Sequence, residues 1–288
     1  MEDTTLDRLC SNYDYFILDC DGTLWENKSI IPGTIEALHY LESESKKIFI
    51  LSNNSYYSVK NMHEKCNTLY NLSIPLSHCY NSALLAAEYI KEKHSSLKLY
   101  TIGGPGITEE LTKASVSHIE ASSTPTSLST SDFPSLSIPE CSGVVVGIDP
   151  LFNYYKLTMA LNLIKRGATF FSTNKDAALE FKGLKMPGAG SVVAPIEATA
   201  GVQSICIGKP SPYALELIMQ NHSIPHDDKH KFIMIGDRVQ TDIAFAYNAN
   251  IKSCLVFSGV TSREQLPDIL SSAGYAPDYL MDKLATFS

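Results

Sequence analysis

Two aspartates follow the first apolar stretch of the chain. The segment Ile17–Trp25 reads Ile-Leu-Asp-Cys-Asp-Gly-Thr-Leu-Trp, so Asp19 and Asp21 lie where a predicted strand becomes a loop. Sites in parallel α/β sheets form beyond the carboxyl ends of the strands, and Gly22 allows a sharp turn there. An ordinary turn rich in Asp and Gly is the alternative interpretation. The pair is therefore a candidate for carboxylate chemistry that needs support from elsewhere in the sequence.

Three other predicted strands also end in polar side chains. One is followed by a hydroxyl and two amides, one by a lysine, and one by two carboxylates; these residues are Ser52, Asn53, Asn54, Lys209, Asp237 and Asp242. Hydroxyl and amide groups donate hydrogen bonds to phosphate oxygens, and lysine supplies a compact positive charge. Each group alone is also typical of a solvent-facing turn, so only their combination is informative.

The combination indicates phosphoryl transfer. Parallel strands bring their carboxyl ends to one rim of a sheet, where four aspartates would repel one another unless a cation were bound. Carboxylate and carbonyl oxygens suit Mg²⁺, which also binds substrate phosphates. The four strand ends together predict a magnesium-assisted site with a carboxylate nucleophile.

The elements that would position these groups alternate between strands and helices. Expected strands are Tyr13–Asp19, Lys47–Ser52, Lys98–Ile102, Gly143–Ile148, Ala168–Ser172, Ser204–Ile207, Lys231–Gly236 and Lys252–Phe257. Expected helices are Thr34–Ser45, Ser82–Lys93, Asn153–Lys165, Ser211–Gln220, Gln240–Asn248 and Ser262–Ser271, each of them except Gln240–Asn248 with its first residue as N-cap. This order predicts an α/β fold with a largely parallel sheet.

Length and charge narrow the class of protein. The 288 residues correspond to about two domains. A net charge of −8 argues against nucleic acid as the main partner.

The sequence also bears on where the protein is located. No apolar run reaches the roughly 18 residues of a membrane span, and the acidic start lacks a signal-peptide pattern. The seven scattered cysteines indicate reduced thiols. We expect a cytoplasmic protein with no membrane partner, whose Ser-, Thr- and Pro-rich segment Ala121–Glu140 is a loop or linker.

The four polar groups resemble motifs I to IV of the haloacid dehalogenase (HAD) superfamily of phosphatases. Asp19 and Ser52 are separated by 33 residues and Ser52 and Lys209 by 157, which resembles the branch with a C2-type cap inserted between motifs II and III. Three further segments resemble the eukaryotic phosphoglycolate, pyridoxal phosphate and 4-nitrophenyl phosphatases: Gly143–Asp149, Thr173-Asn174 and Gly188–Ser191.

The resemblance implies a fold and a domain order. It implies a Rossmann-like, parallel-sheet HAD core made of residues 1–82 and 204–288, and an inserted α/β cap of the C2 type made of residues 83–203. Relatives of this kind often dimerise through the cap, so the resemblance implies that this chain can form a homodimer.

The resemblance also implies roles for the candidate residues. Asp19 would be the nucleophile, and Asp21 would protonate the leaving group and then activate water. The side chains of Asp19 and Asp237 and the carbonyl of Asp21 would hold Mg²⁺, with Asp242 close by to orient the metal's water or Lys209. The groups that would neutralise the phosphoryl oxygens are Ser52, Asn53, Asn54 and Lys209.

Substrate choice would depend on the cap. Leu179 stands in the loop Thr173–Leu179 at a position where relatives selective for pyridoxal phosphate have histidine. This favours a small phosphomonoester such as phosphoglycolate, with 4-nitrophenyl phosphate as an in vitro substrate. A pyridoxal phosphate phosphatase, a protein phosphatase and a non-catalytic regulatory protein on the same scaffold stay open. Oxidation of Cys20 is a further hypothesis, although adjacent carboxylates should raise its pKa.

Overall fold

A computed structural model describes residues 1–26, 29–69, 71–121, 135–181 and 184–288. These residues form two compact units. The first comprises Met1–Ser52, Met62–Tyr80 and Lys209–Ser288, and the second comprises Asn53–Asn61 and Asn81–Gly208. The division differs from the expected one at Asn53–Asn61, which directly follows the second motif yet packs with the second unit, and that unit's main segment runs from Asn81 to Gly208 rather than over residues 83–203. That the second unit acts as a cap stays a prediction.

The strands of the described residues are, in chain order, β1 (Glu2–Asp3), β2 (Tyr15–Leu18), β3 (Trp25–Glu26), β4 (Ser29–Ile30), β5 (Lys47–Ser52), β6 (Cys79–Asn81), β7 (Leu99–Ile102), β8 (His118–Glu120), β9 (Gly143–Val146), β10 (Thr169–Ser172), β11 (Ala178–Phe181), β12 (Leu184–Pro187), β13 (Ile205–Cys206), β14 (Phe232–Gly236), β15 (Lys252–Val256) and β16 (Tyr279–Met281). The α-helices are α1 (Leu6–Asn12), α2 (Thr34–Ser43), α3 (Val59–Leu69), α4 (Ser82–Lys93), α5 (Pro105–Lys113), α6 (Tyr154–Lys165), α7 (Ala189–Ala200), α8 (Tyr213–Asn221), α9 (Ala244–Ala249) and α10 (Leu266–Ala273). Short 3₁₀ segments span Leu76–His78 and His226–Lys231, and a π-helical turn spans Val239–Ile243.

The first unit is built on a sheet with the strand order β1-β16-β15-β14-β2-β5-β6 among the described residues. Its strands pair in parallel from β1 to β5. Strand β14 is fully buried and β2 and β5 almost so, as their continuous apolar sequences require. The register aligns Ile235, Leu18 and Ile50 across three neighbouring strands. The residues that follow these three positions therefore emerge together at one edge of the sheet.

The second unit has its own parallel sheet, with the strand order β13-β10-β9-β7-β8 in the described part of the chain. A cluster that includes Val144, Met159 and Ile196 forms its core, where helices α6 and α7 cover strand β9. The hairpin β11–β12 is separate from this sheet. The expected α/β class with parallel sheets is thus confirmed.

Several helix starts differ from the expected ones. Asn153 caps its helix as predicted, since its side chain accepts from the Lys156 amide at 3.0 Å. Ser82 does not cap helix α4, because Asn81 accepts from the Leu84 amide at 2.9 Å instead. Helices α2, α8 and α10 have as N-cap residues Gly33, Pro212 and Gln265 rather than Thr34, Ser211 and Ser262.

Two further expectations concern the Ser-, Thr- and Pro-rich segment and a membrane span. Residues 122–134 of the Ser-, Thr- and Pro-rich segment lie outside the described residues. No helix in the described part of the chain has the length and apolarity needed to cross a membrane.

Candidate active site

Three buried carboxylates meet at the carboxyl edge of the first unit's sheet. Asp19 follows β2, Asp237 follows the neighbouring β14, and Asp242 lies in the π-helical turn beyond it. One carboxylate oxygen from each lies within 4.8 Å of the other two. Their exposed fractions are 9% for Asp19, 2% for Asp237 and 1% for Asp242. This arrangement unites three of the residues that the sequence predicted for the metal site.

The π-helical turn Val239–Ile243 brings Asp242 back towards the end of β14. Val239 and Ile243 are buried with Leu255 and Leu266, which anchors the turn to the sheet. The Asp242 carboxylate accepts a hydrogen bond from the Arg238 amide at 3.0 Å. Its carboxyl group also occupies the space that a side chain at Gly236 would need, so glycine is required at the strand end.

Lys209 joins two of the three carboxylates. Its ammonium donates to Asp19 Oδ1 at 2.5 Å, to Asp242 Oδ1 at 2.7 Å and to the Leu51 carbonyl at 2.9 Å. Lys209 is only 2% exposed. A buried ammonium held by two carboxylates stays charged, and it fixes both aspartates in place.

The pKa values reflect an excess of negative charge. Burial raises the pKa of Asp237 well above its ordinary value, and the charge of Asp19 adds to this. Burial also raises the pKa of Asp19, and it raises the pKa of Asp242 to about 6. The positive charge of Lys209 opposes both shifts. Burial alone would lower the pKa of Lys209, but Asp19 and Asp242 outweigh it and raise that pKa above its ordinary value.

The donor set fits a hard divalent cation. The cluster contains three carboxylates and one ammonium, which pairs with Asp19 and Asp242, so the ionised cluster carries two uncompensated negative charges in a buried place. Carboxylate oxygens are the ligands that hard divalent ions take, and a bound cation would remove the repulsion that raises the aspartate pKa values.

Asp21 lies outside this buried cluster. Its side chain is exposed and accepts a hydrogen bond from the Trp25 indole at 2.9 Å. The loop between them closes when the Gly22 amide donates to the Trp25 carbonyl at 2.7 Å, with Gly22 at φ 85°. Its expected contribution to a metal site is a backbone carbonyl, and its carboxyl group is held by Trp25 in contact with solvent.

The expected phosphate-binding residues divide between the two units. Ser52 ends β5 as a buried residue of the first unit, as does Lys209 in its own loop. Asn53 and Asn54 belong to the second unit, where Asn53 donates to the Asp176 carboxylate at 3.2 Å and Asn54 accepts from the Tyr56 amide at 2.9 Å. Leu179 is half-buried in β11 of the same unit and pairs with Met186 of β12.

Sequence reasoning missed the loop after β15. The Val260 amide donates to Asp237 Oδ2 at 2.6 Å, and a side chain at Gly259 would collide with the Asp237 carboxyl group. Strand β15 neighbours β14, so the strand-end rule that identified the other motifs applies equally to Ser258-Gly259-Val260. Trp25 was also missed as the partner of Asp21.

Cys20 is a buried, free thiol between the two motif I aspartates. Burial raises its pKa well above the ordinary value, and the charge of Asp19 raises it further. Because the thiolate is the reactive form, this environment disfavours its oxidation. Redox sensitivity stays an untested hypothesis.

Comparisons with known proteins match this description. The family model described as haloacid dehalogenase-like hydrolase matches residues 16–117, and one described as HAD-hydrolase-like matches residues 206–287. Phosphoglycolate phosphatase 2 of Arabidopsis thaliana is 33% identical over 278 residues, covering 94% of this chain and 91% of the relative. The 4-nitrophenylphosphatase of Schizosaccharomyces pombe is 32% identical over 281 residues, covering 95% and 92%.

The fold is also similar to solved structures. The crystal structure of a 4-nitrophenylphosphatase from Thermotoga maritima superposes with a TM-score of 0.82 at 26% identity. That superposition covers 96% of this chain and 97% of the solved one.

Proposed function

Because this chain belongs to the haloacid dehalogenase-like hydrolases, we propose that it hydrolyses small phosphomonoesters with Mg²⁺ through a phosphorylated Asp19. It is a phosphoric monoester hydrolase. The observation that carries the mechanism is the buried cluster of Asp19, Asp237 and Asp242 around Lys209, with its uncompensated negative charge.

Asp19 is the proposed nucleophile. Its carboxylate attacks phosphorus, the bond from phosphorus to the leaving oxygen breaks, and an aspartyl-phosphate forms. Lys209 supports this role because its 2.5 Å hydrogen bond fixes the Asp19 carboxylate before substrate arrives. Fixing the nucleophile in advance removes the entropic cost of orienting it during the reaction.

Asp21 is the proposed acid and base. It gives its proton to the leaving oxygen in the first step and takes a proton from the water that attacks the aspartyl-phosphate in the second. The exposed position of its carboxyl group supports this role, since it exchanges protons with solvent between turnovers. The Trp25 indole holds the same carboxyl group in one orientation.

The carboxylates of Asp19 and Asp237 and the carbonyl of Asp21 would hold Mg²⁺, whose positive charge attracts the phosphate and offsets the buried carboxylates. Asp242 holds Lys209 through its Oδ1 and the Arg238 amide through its Oδ2, which fits a positioning role better than that of a metal ligand. Ser52, Asn53, Asn54 and Lys209 are the proposed ligands of the phosphoryl oxygens.

The proposed substrate is a small phosphomonoester of the phosphoglycolate type, with pyridoxal phosphate as the alternative. The names of the two curated relatives support phosphoglycolate and 4-nitrophenyl phosphate. The apolar Leu179 in the second unit supports a substrate other than pyridoxal phosphate. A cytoplasmic location and a homodimer are part of the same proposal.

A hydrolysis panel with and without Mg²⁺ tests the function. It contains phosphoglycolate, pyridoxal phosphate, 4-nitrophenyl phosphate, a sugar phosphate and a nucleotide. We expect Mg²⁺-dependent release of phosphate, fastest with phosphoglycolate and absent in the Asp19→Asn variant. Circular dichroism checks that the variant is folded; hydrolysis by folded Asp19→Asn at the normal rate would contradict the proposal.

A further inference from the structure

Asn53 is the centre of a buried polar cluster in the second unit. Its backbone carbonyl accepts hydrogen bonds from the Ser82 hydroxyl at 2.6 Å and from the Asn174 side-chain amide at 2.7 Å. Its own side-chain amide donates to both carboxylate oxygens of Asp176, at 3.2 and 3.3 Å. We call Asn53, Ser82, Asn174 and Asp176 the Asn53 cluster.

The Asn174 side chain makes hydrogen bonds to two members of this cluster, one as donor and one as acceptor. While its Nδ2 donates to the Asn53 carbonyl, its Oδ1 accepts from the Asp176 amide at 3.1 Å. Asn174 is 3% exposed, Ser82 0% and Asn53 9%. Asp176 is half-buried at the edge of the cluster, and the hydrogen bonds among the other three residues are strengthened by their low-dielectric surroundings.

The cluster lies next to two catalytic motifs along the chain. Asn53 directly follows Ser52 of motif II, and Gly208 directly precedes Lys209 of motif III. The Gly208 amide donates to the Thr173 carbonyl at 2.8 Å. A side chain on Gly208 would press against that carbonyl, Asn53 and Ser82. The Asn174 and Ser82 side chains therefore hold the backbone one residue after Ser52, and the backbone carbonyl next to Asn174 holds the backbone one residue before Lys209.

The neighbouring residues extend this anchoring. Thr173 donates to the Ser55 hydroxyl at 3.0 Å, and both residues are fully buried. Asn81, at the start of α4, donates to the Tyr57 carbonyl at 2.8 Å. The segment that continues from motif II is thus held by side chains from the loop after β10 and from the start of α4.

We propose that Asp176 and Asn174 are positioning residues of the phosphoryl-transfer reaction, which act by holding Asn53, Asp176 through its side-chain amide and Asn174 through its backbone carbonyl, and so aligning Asn53 and the adjacent Ser52. This rests on the proposed function. Substitution of a specificity residue would change the rate with some esters and not with others. Substitution of these residues should change the rate with every ester, because the groups that they position bind the phosphoryl group that all esters share. A misplacement of about 1 Å in such a group costs on the order of 100-fold in rate.

The experiment compares three variants of the full chain with 4-nitrophenyl phosphate and phosphoglycolate. Asp176→Ala removes the two carboxylate oxygens that accept from the Asn53 amide, and we expect kcat to fall by about 10- to 100-fold for both esters. Asp176→Asn keeps one acceptor oxygen and should recover most of that loss. Glu110→Gln is the matched control, because Glu110 is a buried carboxylate of the same unit that accepts from the Val59 amide and Lys113.

The control separates positioning from stability. We expect Glu110→Gln to keep the normal kcat even where it lowers the unfolding temperature. An unchanged kcat in Asp176→Ala, a loss with phosphoglycolate alone, or an equal loss in Asp176→Asn would each overturn the inference while the proposed function stands. An unmodified protein that hydrolyses no ester with Mg²⁺ would overturn the proposed function and this inference with it.

Discussion

Each unit of the molecule buries a lysine against an aspartate that follows a parallel strand, but the charges balance in only one of them. In the second unit, Lys156 donates to Asp149 Oδ2 at 2.7 Å, and the two side chains are 5% and 4% exposed. Asp149 also accepts from the Leu151 amide at 2.8 Å. In the first unit, Lys209 pairs with Asp19 and Asp242, and the carboxylate of Asp237 lies beside them as a third negative charge.

The difference is the one expected between a structural ion pair and the proposed active site. A balanced, hydrogen-bonded pair satisfies both buried charges and has no need of a ligand. In the cluster around Lys209, the carboxylates of Asp19, Asp237 and Asp242 repel one another, and a bound cation would reduce this repulsion. Burial and a lysine partner are common to both places, so the uncompensated charge is the feature that supports a functional role for the cluster around Lys209.

Removal of Lys209 should mainly lower kcat, whereas removal of Lys156 should mainly lower the stability of the fold. We expect Lys209→Met to lower kcat by on the order of 10²- to 10³-fold, because the phosphoryl oxygens and Asp19 lose a fixed positive charge. We expect Lys156→Met to leave Asp149 as a lone buried charge and to destabilise the protein by about 3–5 kcal/mol. Lys156→Met should keep a normal kcat per folded molecule.

Steady-state kinetics and urea unfolding of both variants measure these effects. The comparison would fail if Lys156→Met lost catalysis while fully folded. It would also fail if Lys209→Met turned over substrate at the normal rate.

Asp237→Asn should change the response to Mg²⁺. The substitution removes one of three carboxylates that repel one another. When a chelator keeps Mg²⁺ away, we therefore expect the free energy of unfolding of the variant to be higher than that of the unmodified protein by on the order of 1 kcal/mol. The unmodified protein should gain about 2.7 kcal/mol when Mg²⁺ is 100-fold above its dissociation constant, and the variant much less. Thermal unfolding with and without Mg²⁺ measures both changes; an equal Mg²⁺-induced gain in the two proteins would contradict a role of Asp237 in metal binding.

A smaller pH effect should come from the His78–His222 pair of the first unit. Their rings lie 4.8 Å apart, and His222 Nε2 is 3.0 Å from the Ser77 carbonyl. Burial lowers the pKa of His222, with His78 and Lys47 adding to the shift. A lowered histidine pKa means that the unfolded chain takes up the proton first, so stability is lost as pH falls below about 6.5.

Chemical unfolding at pH 7.5 and pH 5.5 measures this loss. We expect less than about 1 kcal/mol from His222, because solvent screens a half-exposed group. The His222→Gln variant should show a correspondingly smaller change between the two pH values. An identical change in both proteins would show that His222 does not contribute.

The sequence predicted the strands that end at the proposed active site better than the elements around them. Continuous apolar runs such as Phe232–Gly236 can be satisfied only inside a covered parallel sheet, so the strand ends and the aspartates beyond them were predictable. Helix α7 was not, because Gly190 and Pro195 are unfavourable for a helix, and its packing with α6, β9 and the β11–β12 hairpin stabilises it instead. The expected single helix Gln240–Asn248 begins instead with the π-helical turn that carries Asp242.

The assignment of Asn53 and Asn54 to a unit could not be read from the sequence. They directly follow strand β5, and chain adjacency suggests that they belong with it. Their hydrogen bonds are made to residues far along the chain, such as Asn174 and Asp176. No local pattern encodes such long-range side-chain contacts.

Trapping of the phosphorylated enzyme tests the central claim most directly. The protein is mixed with 4-nitrophenyl phosphate and Mg²⁺, quenched in acid within the first turnover, and digested for mass spectrometry. The account predicts one phosphoryl group on the peptide that contains Asp19, and none in Asp19→Asn. A phosphoryl group on another residue, or full turnover with no labelled Asp19, would contradict it.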